Sequence, residues 1–453
     1  MLDSYIDNQK EEIISKLIDL IKFPSVEGDF LPGKPFGEEC NDALEYMLAL
    51  GKSLGFKTKN IDGYCGFIEF GEGEELLGII GHLDVVPAGE GWDYPPFSGE
   101  IHDDKIYGRG TMDDKGPVIA SLYAMKAVME TQKINKRVRL ILGLNEETNW
   151  KCIERYKETE ELPTIAFSPD GVFPCIYAEK GFLTLYLNEQ IKQNEDIIIE
   201  DIDCENNPVN IVPRFCKVNL KVKNIEDVIT KIEEFIKNKK YSIVINKIDE
   251  EHLNIIAEGF SAHAAHPELG KNAISMMLEL LNEIVNLNIL KMFCNNIGMD
   301  YNGNILGINN KDFSGELTLN VGNIKLENDV LSIGLNLRVP VETSMDYVEE
   351  AFNEKLKGTN IKINVTDRRE GLNVSKDSRL VKTLCKVFNE RTLRNEEPFT
   401  MGGATYARAF KNCVSFGPAM NDEEDLCHQA NEYISIERLI LCTKIYGQAI
   451  AEL

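Results

Sequence analysis

The feature that most constrains this chain is a short apolar run, Leu76-Leu77-Gly78-Ile79-Ile80, that stops at Gly81-His82-Leu83-Asp84. A run this brief with no polar alternation fits a strand buried on both faces, the kind that a helix-covered parallel sheet uses. The residues just past it fall at the strand's carboxyl end, where open α/β sheets place their sites. His82 and Asp84 are two apart, so on an extended chain they point the same way. Further on, Tyr107-Gly108-Arg109-Gly110-Thr111-Met112-Asp113-Asp114-Lys115 leads into Gly116-Pro117-Val118-Ile119-Ala120, a helix start with proline in its first turn. This spacing suggests a metal site with His82 and Asp113 as ligands and Asp84 orienting the imidazole from behind. The competing reading is a strand-loop-helix whose polar residues only cap.

The strand-and-helix rhythm continues. Residues 3–22 carry Ile6, Ile13, Ile14, Leu17, Ile18 and Ile21 at helical spacing and predict one amphipathic helix; Gly37–Gly55 predicts a second. Arg137–Leu144 is another buried-strand candidate and ends in Asn145-Glu146-Glu147-Thr148. Thr164–Phe167 is a third and ends in Ser168-Pro169-Asp170-Gly171. After Gly181 the texture changes to mostly strands, with helices predicted at Ile225–Lys239, Lys271–Val285 and Met345–Leu356. Helix Ser378–Arg391, strand Cys413–Phe416 and helix Ile434–Ala451 then restore the first pattern. The fold class is α/β, with an inserted α+β segment. One domain is expected from 1–181 and 378–453 together, and a second from 182–377.

Composition narrows the function. The net charge is −25, from 74 acidic and 49 basic residues. Phosphate binding needs a basic face, so this charge argues against nucleic acid and anionic membrane surfaces as partners. The 11 cysteines are an odd number with no Cys-x-x-Cys, which fits reduced thiols and a cytoplasmic protein. The start, Met1-Leu2-Asp3-Ser4-Tyr5, has no basic or apolar leader pattern, and no stretch has the length of a membrane span.

The acids and histidines that follow the strands form one set: His82, Asp84, Asp113, Glu146, Glu147, Asp170 and, near the last helix, His428. Taken singly, each has an ordinary explanation. A Glu-Glu pair is usually surface, and Asp170 before Gly171 is a common turn residue. Taken together they suit two divalent ions, which need about three ligands each with one carboxylate shared. Mixed histidine and carboxylate ligands suit zinc, manganese or cobalt. Two such ions hold and acidify a water, and a carboxylate outside the ligand set must then take its proton. Glu146 and Glu147, as neighbours pointing different ways, offer one of each.

In this order the segments resemble the M20 family of co-catalytic metallopeptidases, and within it the bacterial dipeptidases of the PepV type, Xaa-His or carnosinase-like. The resemblance runs through Gly81–Pro87, Gly108–Gly116, Asn145–Lys151, Phe167–Asp170, Ala178–Gly181, Gly402–Arg408 and His428–Tyr433. It implies a phosphorylase/hydrolase-like catalytic domain and an inserted lid domain with ferredoxin-like elements. It implies that Asp113 bridges two metals, that His82 and Asp170 complete one site, and that Glu147 and His428 complete the other. Asp84 would orient His82 and Glu146 would be the general base. From the lid, His263 would polarise the substrate carbonyl; locally it reads only as a loop residue capping a turn. Asn210 and Arg338 would bind substrate, with Gly402, Gly403 and Thr405 meeting its carboxylate. Asn145 and Ala404 depart from the pattern without touching a ligand or the base.

The resemblance thus implies a dipeptidase that cleaves unblocked dipeptides through a water bridging two divalent metals, zinc foremost, with manganese or cobalt as alternatives. Two other readings stay open: an N-acyl-amino-acid amidohydrolase with the same site, and a binding protein that has lost catalysis. A small peptide is the expected partner. The larger lid of the dipeptidase branch suggests a monomer, with a homodimer as the alternative.

Overall fold

Strand Leu76–His82 has every residue buried, as an unbroken apolar run requires. It lies between Arg137–Gly143 and Ile165–Ser168 and is parallel to both. Cys413–Ser415 joins the far side of Ile165–Ser168, also parallel. On the other side, Cys65–Gly71 and then Lys57–Ile61 add antiparallel strands. The parallel strands therefore send His82, Gly143 and Ser168 to one edge of the sheet, and the loops after them start there. Helix Lys115–Thr131, apolar nearly all round, is buried along most of its length and packs on the final helix, Ile436–Glu452.

This computed structural model describes every residue except Asp425. It forms two compact units: Met1–Ala178 with Leu372–Phe399 and Ala404–Leu453, and Glu179–Gly371 with Thr400–Gly403. Each has its own apolar core. The fold class is the expected one, α/β with an inserted α+β segment. All 11 cysteines are free thiols, and among the described residues no helix is long and apolar enough to cross a membrane.

The second unit holds two antiparallel four-stranded sheets. One runs in the order Thr318–Glu327, Val330–Val339, Gly181–Gln190, Lys362–Arg369. The other runs Ile197–Asp203, Phe215–Val222, His252–Glu258, Ile243–Lys247. In the latter, Phe215–Val222, helix Ile225–Lys239 and Ile243–Lys247 form a crossover with His252–Glu258 seated between the two strands. That is the split β-α-β of ferredoxin-like folds, with the edge strand supplied from upstream.

Two local expectations change. Residues 3–22 form two helices, Leu2–Asn8 and Lys10–Ile21. At Gln9 the N–H turns back to the Ile6 carbonyl at 2.9 Å, a tighter turn that offsets the second helix. Helix Asn288–Asn296 also forms, although its own sequence carries only a weak start signal. Its N-terminus is capped from a distance: the buried Glu189 carboxylate accepts the Ile289 N–H at 2.8 Å and the Asn288 side-chain amide at 3.2 Å.

Candidate metal centre

His82 ends its strand with its side chain fully buried. Its backbone N–H donates to Asp114 Oδ2 at 3.1 Å. Imidazole Nδ1 is hydrogen-bonded to the Asp84 backbone carbonyl at 3.0 Å, which fixes the ring from behind, and the Asp84 carboxylate stands next to it with Oδ1 at 3.5 Å. Asp84 Oδ2 accepts the Glu147 N–H at 3.1 Å and joins two strand-end loops. Gly81 permits this packing, because a Cβ there would run into the Asp114 carboxylate and Val118.

The other imidazole nitrogen, Nε2, is 2.9 Å from Asp113 Oδ1 and 3.9 Å from Asp170 Oδ2. The second oxygen of Asp113, Oδ2, is 3.2 Å from His428 Nε2. That nitrogen is also 3.1 Å from Glu147 Oε1. Asp113 therefore turns one carboxylate oxygen to each histidine. The donor atoms of His82, Asp113 and Glu147 all lie within 4.8 Å of one another and can hold a metal ion. Their mixture of imidazole and carboxylate suits a divalent transition metal. His428 has φ 64, a left-handed backbone uncommon for histidine.

The charges oppose one another strongly. Burial lowers the His82 pKa, but the Asp113 and Asp84 carboxylates outweigh it and hold the ring well above the ordinary histidine value. Asp113 and Glu147 raise His428 to about 11. Burial would raise the Asp113 pKa, yet His428 and His82 bring it below the usual carboxylate range. Burial raises Glu146 well above the glutamate range, the charges of Asp170, Glu147 and Asp113 add to it, and His82 opposes. The raised pKa makes Glu146 a better proton acceptor than an ordinary glutamate. Its loop is fixed locally. Trp150 Nε1 donates to the Glu146 carbonyl at 2.7 Å, and Asn145 Oδ1 accepts the Cys152 N–H at 3.0 Å. Asn145 thereby caps helix Lys151–Thr159.

Sequence reasoning passed over Glu432, which ties the Asp113 loop to the His428 loop. Its fully buried carboxylate accepts the N–H groups of Gly110 at 3.0 Å, Met112 at 2.8 Å and Asp113 at 3.2 Å. Arg109 Nη1 donates to it at 2.7 Å and to the Gln429 carbonyl at 3.1 Å. The antiparallel pairing of Tyr433 with Tyr107 brings these loops together. The available signal was Glu432 lying four residues past His428. Tyr406 was also passed over: its ring meets His82 edge-on at 6.0 Å, and its hydroxyl is 2.6 Å from Cys152 Sγ.

In the second unit, Asn210 and His263 sit on loops that touch. Ala264 N–H donates to the Asn210 carbonyl at 2.8 Å, and Ile211 bridges His263. His263 Nδ1 accepts the Ala265 N–H at 3.2 Å. Burial lowers the His263 pKa, and the charges of Arg338 and His266 add to it. Arg338 is buried on strand Val330–Val339, with its guanidinium 5.1 Å from the Phe182 ring and Nη1 donating to the Gly402 carbonyl at 3.3 Å. Gly402 and Gly403 belong to this unit. Thr405 belongs to the first unit, where its hydroxyl accepts the Ala407 N–H at 3.2 Å.

The sequence profile of Peptidase family M20/M25/M40 matches residues 78–452. The chain belongs to this family, as a hydrolase of peptide bonds. A Bacillus subtilis (strain 168) protein carrying the provisional name dipeptidase YtjP is 35% identical over 456 residues, 98% of each chain. A Staphylococcus epidermidis (strain ATCC 12228 / FDA PCI 1200) protein, also provisionally named a dipeptidase, is 36% identical over 460 residues, 97% of each chain. Human carnosine dipeptidase 1 shares the fold at a TM-score of 0.60 and 14% identity, over 100% of this chain and 98% of that one.

Proposed function

We propose that this protein is a cytoplasmic dipeptidase using two divalent metal ions, with zinc as the first candidate. The observation that carries the reading is the Asp113 carboxylate with one oxygen toward His82 and the other toward His428. His82 and Asp170 would complete one ion's ligands, Glu147 and His428 the other's, with Asp113 shared. Ions bound there would act as Lewis acids, acidifying a water and drawing charge from the scissile carbonyl. Glu146, held close to the ligands but outside their set, takes the water's proton and returns it to the leaving amine. Asp84 keeps the His82 ring in place.

We assign the first unit as the catalytic domain and the second as the lid. His263 accepts at Nδ1 and is biased toward its neutral form, so its proton resides on Nε2. That leaves Nε2–H to donate to the carbonyl oxygen as negative charge develops. Arg338 presents a planar cation to the substrate carboxylate, helped by Asn210 and the Gly402–Gly403 turn. Eleven free thiols support a reducing compartment.

The test is hydrolysis of β-Ala-His and several α-dipeptides by metal-stripped protein after adding back zinc, manganese or cobalt. Metal-restored cleavage of free dipeptides, with blocked termini uncut, is expected. Glu146→Ala should lower kcat by roughly a hundredfold or more. Cleavage of N-acyl amino acids in place of dipeptides would overturn the substrate assignment, and bound metal without turnover would leave a binding protein.

A further inference from the structure

Asn210 and His263 are carried by irregular loops, yet one strand face reaches both. Thr318 and Asn320 are two apart on strand Thr318–Glu327, on the same side, and both are buried. Thr318 Oγ1 donates to the Ala264 carbonyl at 2.9 Å, one residue past His263. The Asn320 amide donates to the carbonyls of Val209 and Ile211, each at 2.9 Å, on either side of Asn210. A single side-chain amide has two N–H donors, and here both hold one loop at the residues flanking the functional one.

The holder is itself held. Asn272, whose Oδ1 caps helix Ala273–Ile284, donates to Asn320 Oδ1 at 3.2 Å and to the Val321 carbonyl at 2.8 Å. Asn207 donates to the carbonyls of Ile211 and Gly322, each at 2.9 Å, and accepts from Asn323 at 2.9 Å. The loop lies directly on the strand, and a Cβ at Gly322 would strike the Val209 carbonyl. Thr318 is also the direct cross-strand neighbour of Arg338, which is in turn paired with Phe182.

We propose that Thr318 and Asn320 are positioning residues that fix His263 and Asn210 against Arg338, so that the groups assigned to the substrate carbonyl and carboxylate are spaced by one strand. The proposal rests on the substrate roles assigned above to those residues. Thr318 holds the histidine loop by one hydroxyl, and Asn320 holds the asparagine loop by one amide. Neither touches substrate.

The test uses full-length, metal-loaded protein with Thr318→Val, which keeps the shape and removes the donor, and Thr318→Ser, which keeps the donor. Thr318→Val should lower kcat by about ten- to a hundredfold, as a displaced catalytic group does, with KM little changed. Thr318→Ser should stay near wild type, and in a His263→Ala background Thr318→Val should cost nothing more. An equal cost in both backgrounds, or an equally impaired serine variant, would overturn the proposal. Histidine-labelled protein followed by NMR supplies a readout free of turnover. In Thr318→Val, His263 should titrate at higher pH than in wild type as it leaves its half-buried place and the Arg338 charge; an unchanged titration overturns the positioning role. If His263→Ala keeps wild-type kcat, the role assigned to His263 fails, and the titration still decides whether Thr318 places it.

Discussion

At the scale of the residue, most of the metal candidates can be read from sequence because they end or closely follow strands, and apolar runs announce strands. His82, Glu146, Glu147 and Asp170 stand within four residues of one, and Asp113 precedes a helix. Glu432 could not be read this way. It works on backbone N–H groups some three hundred residues earlier in the chain, and nothing near it announces that partner. Its effect should be large, since its carboxylate and the Arg109 guanidinium neutralise each other out of water. Glu432→Ala should destabilise the protein by about 3–5 kcal/mol, because Arg109 would be left as a buried charge. Glu432→Gln keeps the shape but cannot satisfy all the donors. It should weaken metal binding to metal-stripped protein by about tenfold or more, as loss of a supporting partner does, measured by calorimetric titration.

At the scale of the element, burial made the difference between legible and illegible. The parallel strands and helix Lys115–Thr131 are nearly unbroken apolar runs, helix Met345–Leu356 shows a helical period, and the structure follows both signals. The break at Gln9 and the start of helix Asn288–Asn296 involve one or two particular hydrogen bonds, in the second case to a glutamate far along the chain, and periodicity does not encode those. Local caps are readable and modest. Ser378 caps helix Arg379–Thr392 by accepting the Val381 N–H at 3.2 Å. Ser378→Ala should cost about 1 kcal/mol of stability in denaturant unfolding and leave turnover unchanged.

At the scale of the whole molecule, two separate cores predict two cooperative units. Metal should act on one of them. Asp113, Glu147 and Asp170 crowd their carboxylates near two histidines, and divalent ions bound there would relieve that repulsion. Stripping them should lower the melting transition of the unit carrying His82 and leave the other in place. At ion concentrations 100 to 1,000 times the dissociation constant, the loss is about 3–4 kcal/mol. Differential scanning calorimetry with and without chelator reads it directly.

The first unit is assembled from separated stretches of chain, and His428 comes to it only after the whole second unit has been written. A ribosome therefore delivers His82, Asp113, Glu147 and Asp170 well before the histidine that faces Asp113 from the other side. For that interval the nascent chain holds every proposed ligand but His428, and strand Cys413–Ser415 is still missing from beside Ile165–Ser168. A chain truncated within the second unit would lack both His428 and strand Cys413–Ser415, and is expected to hydrolyse no dipeptide.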